Sequence, residues 1–198
     1  MAIRDFFKPK WKHSDWEVRL KALESIKDEE VLETIAVKDS NWKVRLKALE
    51  SIKNDEVLET IAVKDSNNDV QKAAIDKIRS SDRLIRILSS GIDTGVINDS
   101  FNSMDCDRLR KIVQNKKYSK VFERIVRALE DQSKVAVVAS NAVSKQVRLQ
   151  ALYRITENHI LVDVATNFDH PKYGDVRAAA LRKLDSDQDK LKVATGSS

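Results

Sequence analysis

Apolar residues recur along this chain at helical spacing, and the pattern itself returns every 26 residues. The stretch Val18-Arg19-Leu20-Lys21-Ala22-Leu23-Glu24-Ser25-Ile26 stands again at Val44 to Ile52, and a diverged copy runs from Val70 to Ile78. Of the 23 positions from Val18 to Ser40, only Asp28/Asn54 and Glu29/Asp55 differ in the next copy. In each unit, Val18, Arg19, Ala22, Leu23 and Ile26 or their equivalents mark a first amphipathic helix. Leu32, Ile35 and Ala36 mark a second, with Asp28 as its N-cap and a stop near Lys38-Asp39-Ser40. Ser14 and Glu17 read as a capping box that opens the first full unit. A short period of this kind predicts stacked helix pairs, none of which buries its apolar face alone.

The second and third units repeat the second-helix row as Leu58, Ile61, Ala62 and Leu84, Ile87, Leu88. Gly91 and Gly95 weaken the pattern, yet Val96, Ser100, Phe101 and Met104 keep the first-helix spacing, with Leu109, Ile112 and Val113 following. A fifth unit runs from Val121 through Ile125, Val126 and Leu129 to Val135, Val138 and Ala139. The sixth is Val147 to Ile155 with Leu161, Val164 and Ala165, and the seventh begins at Val176-Arg177 after a longer loop at Asp169 to Gly174. A short polar helix near Leu191 to Ala194 closes the series. The expected organisation is a capping segment at residues 1–13, carrying Phe6, Phe7 and Trp11, and one repeat domain at 14–195. Repeats start near 14, 40, 66, 92, 118, 144 and 170, and Gly196-Ser197-Ser198 is a tail or cloning remnant.

Helix pairs with an Asp ahead of the next Val-Arg, as Asp39 before Val44-Arg45 and Asp65 before Val70, resemble HEAT repeats. The period is shorter than the ~40–47 residues of typical units. It is similar to the compact bacterial HEAT-like repeats and, less closely, to leucine-rich-variant repeats. Phe7 to Asp15 also resembles the start of bacterial HEAT-repeat proteins of unassigned function. The resemblance implies an all-α fold, a right-handed α-solenoid (superhelix) of about seven short helix-pair repeats. It also implies an Asp–Arg ladder between repeats, with Arg19, Arg45, Arg148 and Arg177 in the Arg role. His13 and Ala142 stand where an Asp is expected, so the ladder reads as incomplete. Arg45 is expected to be buried, paired with Asp39 or with a backbone carbonyl of the neighbouring turn.

Composition adds little that the periodicity does not already imply. The chain has 34% charged and 41% hydrophobic residues, four Gly and two Pro, as suits a helical protein without β punctuation. Its single cysteine, Cys106, has no disulfide partner, which suggests a reducing, cytoplasmic home. No apolar run approaches the ~18 residues of a membrane span, and the N-terminus does not read as a signal peptide. Net charge is +5.

No catalytic, cofactor or metal constellation stands out, and the chain reads as a non-enzyme. The three histidines, His13, His159 and His170, lack the spacing that places two ligands on one helix face. The acids of Asp28-Glu29-Glu30 suit helix N-termini. The densest charge is Arg108 to Arg127, eight basic residues against Glu123, with Tyr118 and Phe122 interleaved.

The expected function is a protein-interaction scaffold or adaptor working as a monomer through the concave face of the second helices. The candidate surface is Thr34, Thr60, Arg86, Arg110, Lys111, Val137 and Asp163, with Arg86, Lys111 and Val137 at its centre. The alternative is nucleic-acid binding, as in HEAT-like DNA glycosylases, through the basic patch around residues 83–127. A small enzyme resembling the HEAT-like chromophore lyases is a third reading, resting on the fold resemblance alone.

Overall fold

The computed structural model describes residues 9–115, 119–166, 174–184 and 186–195. All regular structure among them is helical. Short 3-10 turns at Lys10–Lys12 and Leu23–Ser25 accompany fourteen α-helices. The first six are α1 (Trp16–Ala22), α2 (Glu29–Lys38), α3 (Trp42–Leu49), α4 (Asp55–Lys64), α5 (Asn68–Lys77) and α6 (Ser81–Ser89). Then come α7 (Thr94–Ser103), α8 (Cys106–Val113), α9 (Ser119–Ala128) and α10 (Gln132–Asn141). The last four are α11 (Lys145–Arg154), α12 (Asn158–Thr166), α13 (Gly174–Lys183) and α14 (Asp187–Thr195). Phe6, Phe7, Lys116, Lys117, Tyr118 and the loop at Asp169–Tyr173 lie outside the described residues, as does the 196–198 tail.

The chain forms two compact units that divide between Val96 and Ile97, inside α7. In the first, α1 packs on α3 and α3 on α5, while α2 packs on α4 and α4 on α6. The second follows the same rule, α9 with α11 and α13 in one layer, α8 with α10, α12 and α14 in the other. Each unit is therefore two layers of helices with its core between them. The core rows are those expected from the spacing. Leu58, Ile61 and Ala62 are buried, as are Leu109, Ile112 and Val113, and Val135, Val138 and Ala139. Each Leu, Ile or Val so buried contributes about 1.5–3 kcal/mol.

Local chemistry sets the helix starts. Asn41 accepts from the Lys43 N–H (2.9 Å), Asn54 from Glu56 (3.0 Å), Asp105 from Arg108 (2.8 Å) and Asp131 from Ser133 (2.8 Å). Each such cap stabilises its helix by about 1 kcal/mol. At the first helix the cap is Asp15, whose carboxylate accepts from the Glu17 N–H at 2.9 Å, not the Ser14 of the expected capping box. The helix begins one residue later, at Trp16. The fifth unit is likewise shifted by one: Phe122 is buried at the position expected of Val121, which is half-buried. The last helix is longer than expected and turns Val193 inward, leaving Leu191 exposed.

Buried arginines tie successive helix pairs together. Arg19 donates Nε and Nη2 to the two carboxylate oxygens of Asp39, each at 2.8 Å, and Nη1 to the His13 and Ser14 carbonyls, each at 2.9 Å. Arg45 repeats this with Asp65, at 2.7 Å for both bonds, and gives Nη1 to the Asp39 carbonyl at 2.8 Å. Arg148 gives Nη1 to the Ala142 and Val143 carbonyls and Nη2 to Asp175 at 3.1 Å. This corrects the expected register. The carboxylate comes from the following helix pair, while the residue six before the arginine supplies only its main-chain carbonyl. His13 and Ala142 fill that role as well as an Asp does, so neither interrupts the series. At Gln71 the side-chain amide donates to the Asp65 carbonyl at 2.8 Å. Arg177 is half-buried, and the loop ahead of it lies outside the described residues.

Candidate interaction surface

The even-numbered helices turn one stripe into the core and the opposite stripe outward, and the candidate residues fall on the outward stripe. In the first unit Thr34 and Arg86 are exposed and Thr60 is half-buried, its hydroxyl bonded back to the Glu56 carbonyl at 3.0 Å. Arg86 is not a solitary cation. Its Nε and Nη2 donate to the Glu59 carboxylate on α4 at 3.0 and 3.1 Å. Arg83 Nη1 reaches the same carboxylate at 2.6 Å and lies 3.8 Å from Glu56. The hydrogen bond from Arg86 is the main reason the Glu59 carboxyl sits below its ordinary range; Arg83 adds to it and burial opposes it. Two arginines and two glutamates thus leave this stretch of α4 and α6 close to neutral.

In the second unit three even helices meet at a groove of about 330 Å³. Arg110 of α8, Val137 of α10 and Asp163 of α12 line it together with Ser133, Ala136 and Ser140. Ala136, Val137 and Val164 give the lining apolar surface, Ser133 and Ser140 give it hydroxyls, and the two helices that flank α10 bring opposite charges, Arg110 and Asp163. Arg110 leans on Asp107 at 2.7 Å, an exposed pair within α8. Asp163 and the exposed Lys111 have no partner among the described residues. Arg86 belongs to the first unit, whereas Lys111 and Val137 belong to the second. The groove gathers Arg110, Val137 and Asp163; Lys111 does not line it.

The basic stretch 108–127 changes character once burial is known. Phe122 is a core residue at 1% exposure, so its ring offers no stacking face. Arg124 and Arg127 are exposed, while Lys116, Lys117 and Tyr118 lie outside the described residues.

Several polar contacts went unread in the sequence. Lys77 Nζ donates to the Glu50 carbonyl at 2.6 Å, and Lys183 Nζ to the Tyr153 and Ile155 carbonyls, each at 2.5 Å. Lys134 does the same to the Asn102 carbonyl. The first two lysines stand seven residues after Val70 and Val176 and meet the negative end of the neighbouring first helix. That shared register is the signal that could have found them. Lys43 Nζ lies 5.3 Å from the Trp16 ring and 5.8 Å from the Trp42 ring, a cation between two indoles one repeat apart.

Among the described residues no group of three or more His, Cys, Asp or Glu could hold a metal ion. Nor is any helix there long and apolar enough to cross a membrane. No protein-family model, curated protein or solved structure matches the chain.

Proposed function

We propose that this chain is a HEAT-like right-handed α-solenoid of about seven helix-pair repeats that serves as a protein-interaction scaffold, binding through its even-numbered helices. The near-identity of successive units and the arginine series support the repeat reading, because both tie each helix pair to the next. The observation that carries the functional reading is the groove formed by Arg110, Val137 and Asp163. A lining that combines apolar side chains with opposite charges suits a polypeptide with complementary side chains. A non-specific nucleic-acid surface should be basic along its length. Here Arg83 and Arg86 are offset by Glu59 and Glu56, Arg110 by Asp107, and Phe122 is internal.

The test is affinity capture from the native cell, comparing the wild-type chain with an Arg110→Glu/Val137→Asp double variant. Captured protein should be lost from the variant while its far-ultraviolet circular dichroism stays helical. Undiminished capture rejects the groove. Recovery of DNA or RNA that elutes with rising salt rejects the scaffold reading in favour of nucleic-acid binding.

A further inference from the structure

On the loop edge of the first unit, away from the even-helix stripe, lies a recess of about 340 Å³ lined by Glu50, Ser51, Ile52, Lys53, Lys77 and Arg79. Three cations meet there. Burial, chiefly, pulls the Lys77 ammonium below its ordinary pKa; Glu50 opposes this, and the charges of Arg79 and Lys53 add to it. Lys53 and Arg79 are exposed, but their charges fall on a half-buried ammonium, and like charges so gathered raise the energy of the folded state unless something answers them.

The acids nearby are already engaged. The Glu50 carboxylate accepts from Lys47 Nζ at 2.6 Å. The Asp55 oxygens accept the main-chain N–H groups of Arg79 and Ser80 at 3.3 and 3.0 Å. One cation is enough for the end of α3, and Lys77 already supplies it through the Glu50 carbonyl. The Lys53 and Arg79 side chains have no hydrogen-bond partner among the described residues. The third cation is particular to this level: one repeat earlier, Lys27, Ser51 and Lys53 stand where Lys53, Lys77 and Arg79 stand here.

We propose that this recess is a binding site for a phosphoryl dianion. Arg79 presents a planar donor fork that matches two phosphate oxygens, Lys53 a point charge, and Ser51 a hydroxyl donor. A single carboxylate would answer less of the charge. A nucleobase or sugar ring finds no aromatic wall, since Ile52 is the only apolar side chain in the lining. The ligand is therefore a phosphoryl group that enters alone or at the end of a side chain. This site does not depend on the groove of the second unit.

The experiment is a titration of the full chain with inorganic phosphate at fixed ionic strength, followed by amide chemical shifts. Saturable shifts confined to residues 50–53 and 77–80, with a Kd of about 1 mM or tighter, are expected. A Lys53→Met/Arg79→Met variant should weaken binding at least about tenfold with unchanged helical circular dichroism. Lys111→Met should leave it alone. N-acetyl-phosphoserine amide distinguishes the source: tighter binding than phosphate points to a phosphorylated side chain, weaker binding to free phosphate. Absence of saturation overturns the site, as does equal binding by the double variant or by N-acetyl-serine amide.

Discussion

The main-chain carbonyl of Asp39 accepts Arg45 Nη1 at 2.8 Å, while the carboxylate of the same residue is closed on Arg19. One residue thus serves two levels of the first unit with two different groups. Its carboxylate also takes the Asn41 N–H at 2.9 Å, which fixes the turn that leads into α3. Turn geometry, helix start and the contact between helix pairs are set together, so α1 to α4 behave as a coupled set. A buried guanidinium survives here because its donors meet two carboxylate oxygens and a carbonyl.

Arg45→Ala should be costly, because it leaves the Asp65 carboxylate and the Asp39 carbonyl buried without their donor. Breaking a buried pair from one side costs about 3–5 kcal/mol. Lys47→Ala, two residues on, removes only an exposed pair with Glu50 and should leave the midpoint almost unchanged. Urea midpoints of the two variants measure the contrast. Neither His13 nor Ala142 offers a carboxylate to its arginine, so the series does not depend on an acid at that position.

Acid should loosen the first unit by a route that can be traced to Asp39. Burial pushes that carboxyl up, but the hydrogen bonds from Arg19 and the Asn41 N–H outweigh it, and it sits below its ordinary value. The unfolded chain therefore takes up a proton first as pH falls. The stabilisation is complete above the unfolded carboxylate range, near pH 4, and is lost as pH drops through the lower folded value. Glu59, lowered mainly by Arg86, acts in the same direction. Asp39→Asn should be less stable at neutral pH and lose less between about pH 5 and pH 3, so the gap to wild type narrows. A parallel pair of stability–pH curves would count against this.

The buried rows were legible because a period of 3.6 within a period of 26 leaves few alternatives. Leu58, Ile61 and Ala62 needed no partner to be named. Pairings were not legible. Asp39 lies six residues before Arg45 and twenty after Arg19, and identical repeats supply both candidates with equal force. Only the folded structure shows that the carboxylate goes to Arg19, and no sequence pattern reports a carbonyl. The pairing of Arg86 is hidden for the same reason. Its partner Glu59 is 27 residues away, and charges counted singly along a chain hide such neutralisation.

Gly91 should resist substitution. It has φ of +82°, in the left-handed region, so Gly91→Ala should cost roughly 1–2 kcal/mol although space for a methyl is open. At Gly95 the obstacle is different: a Cβ would sit 2.9 Å from Asp93 Oδ1, which accepts the Gly95 N–H at the start of α7. With Asn98, Asp99 and Ser100 inside it, α7 has low intrinsic helicity. Amides of residues 94–103 should exchange faster than those of α3 and α4 in native-state hydrogen exchange. Equal protection would reject this ranking.

Lys183 should matter more than a half-buried lysine usually does. Its ammonium reaches the Leu152 carbonyl at 3.3 Å and those of Tyr153 and Ile155 at 2.5 Å each, where α11 ends. These acceptors lie at the negative end of the helix dipole, and solvent replaces a lost donor there only in part. Lys183→Met keeps the aliphatic stem and deletes the charge, so packing is spared and the carbonyls are left unanswered. Hydrogen bonds to a charged group contribute about 1.5–3 kcal/mol, and exposure of part of this side chain places the expected loss at the lower end. Lys183→Arg keeps the charge but carries a planar head, and should recover part of that loss. The measurements are the urea midpoint and the exchange rates of amides at residues 152–156. A Lys183→Met variant as stable as wild type, with those amides unchanged, would show that the end of α11 is held by its neighbours and not by this cation.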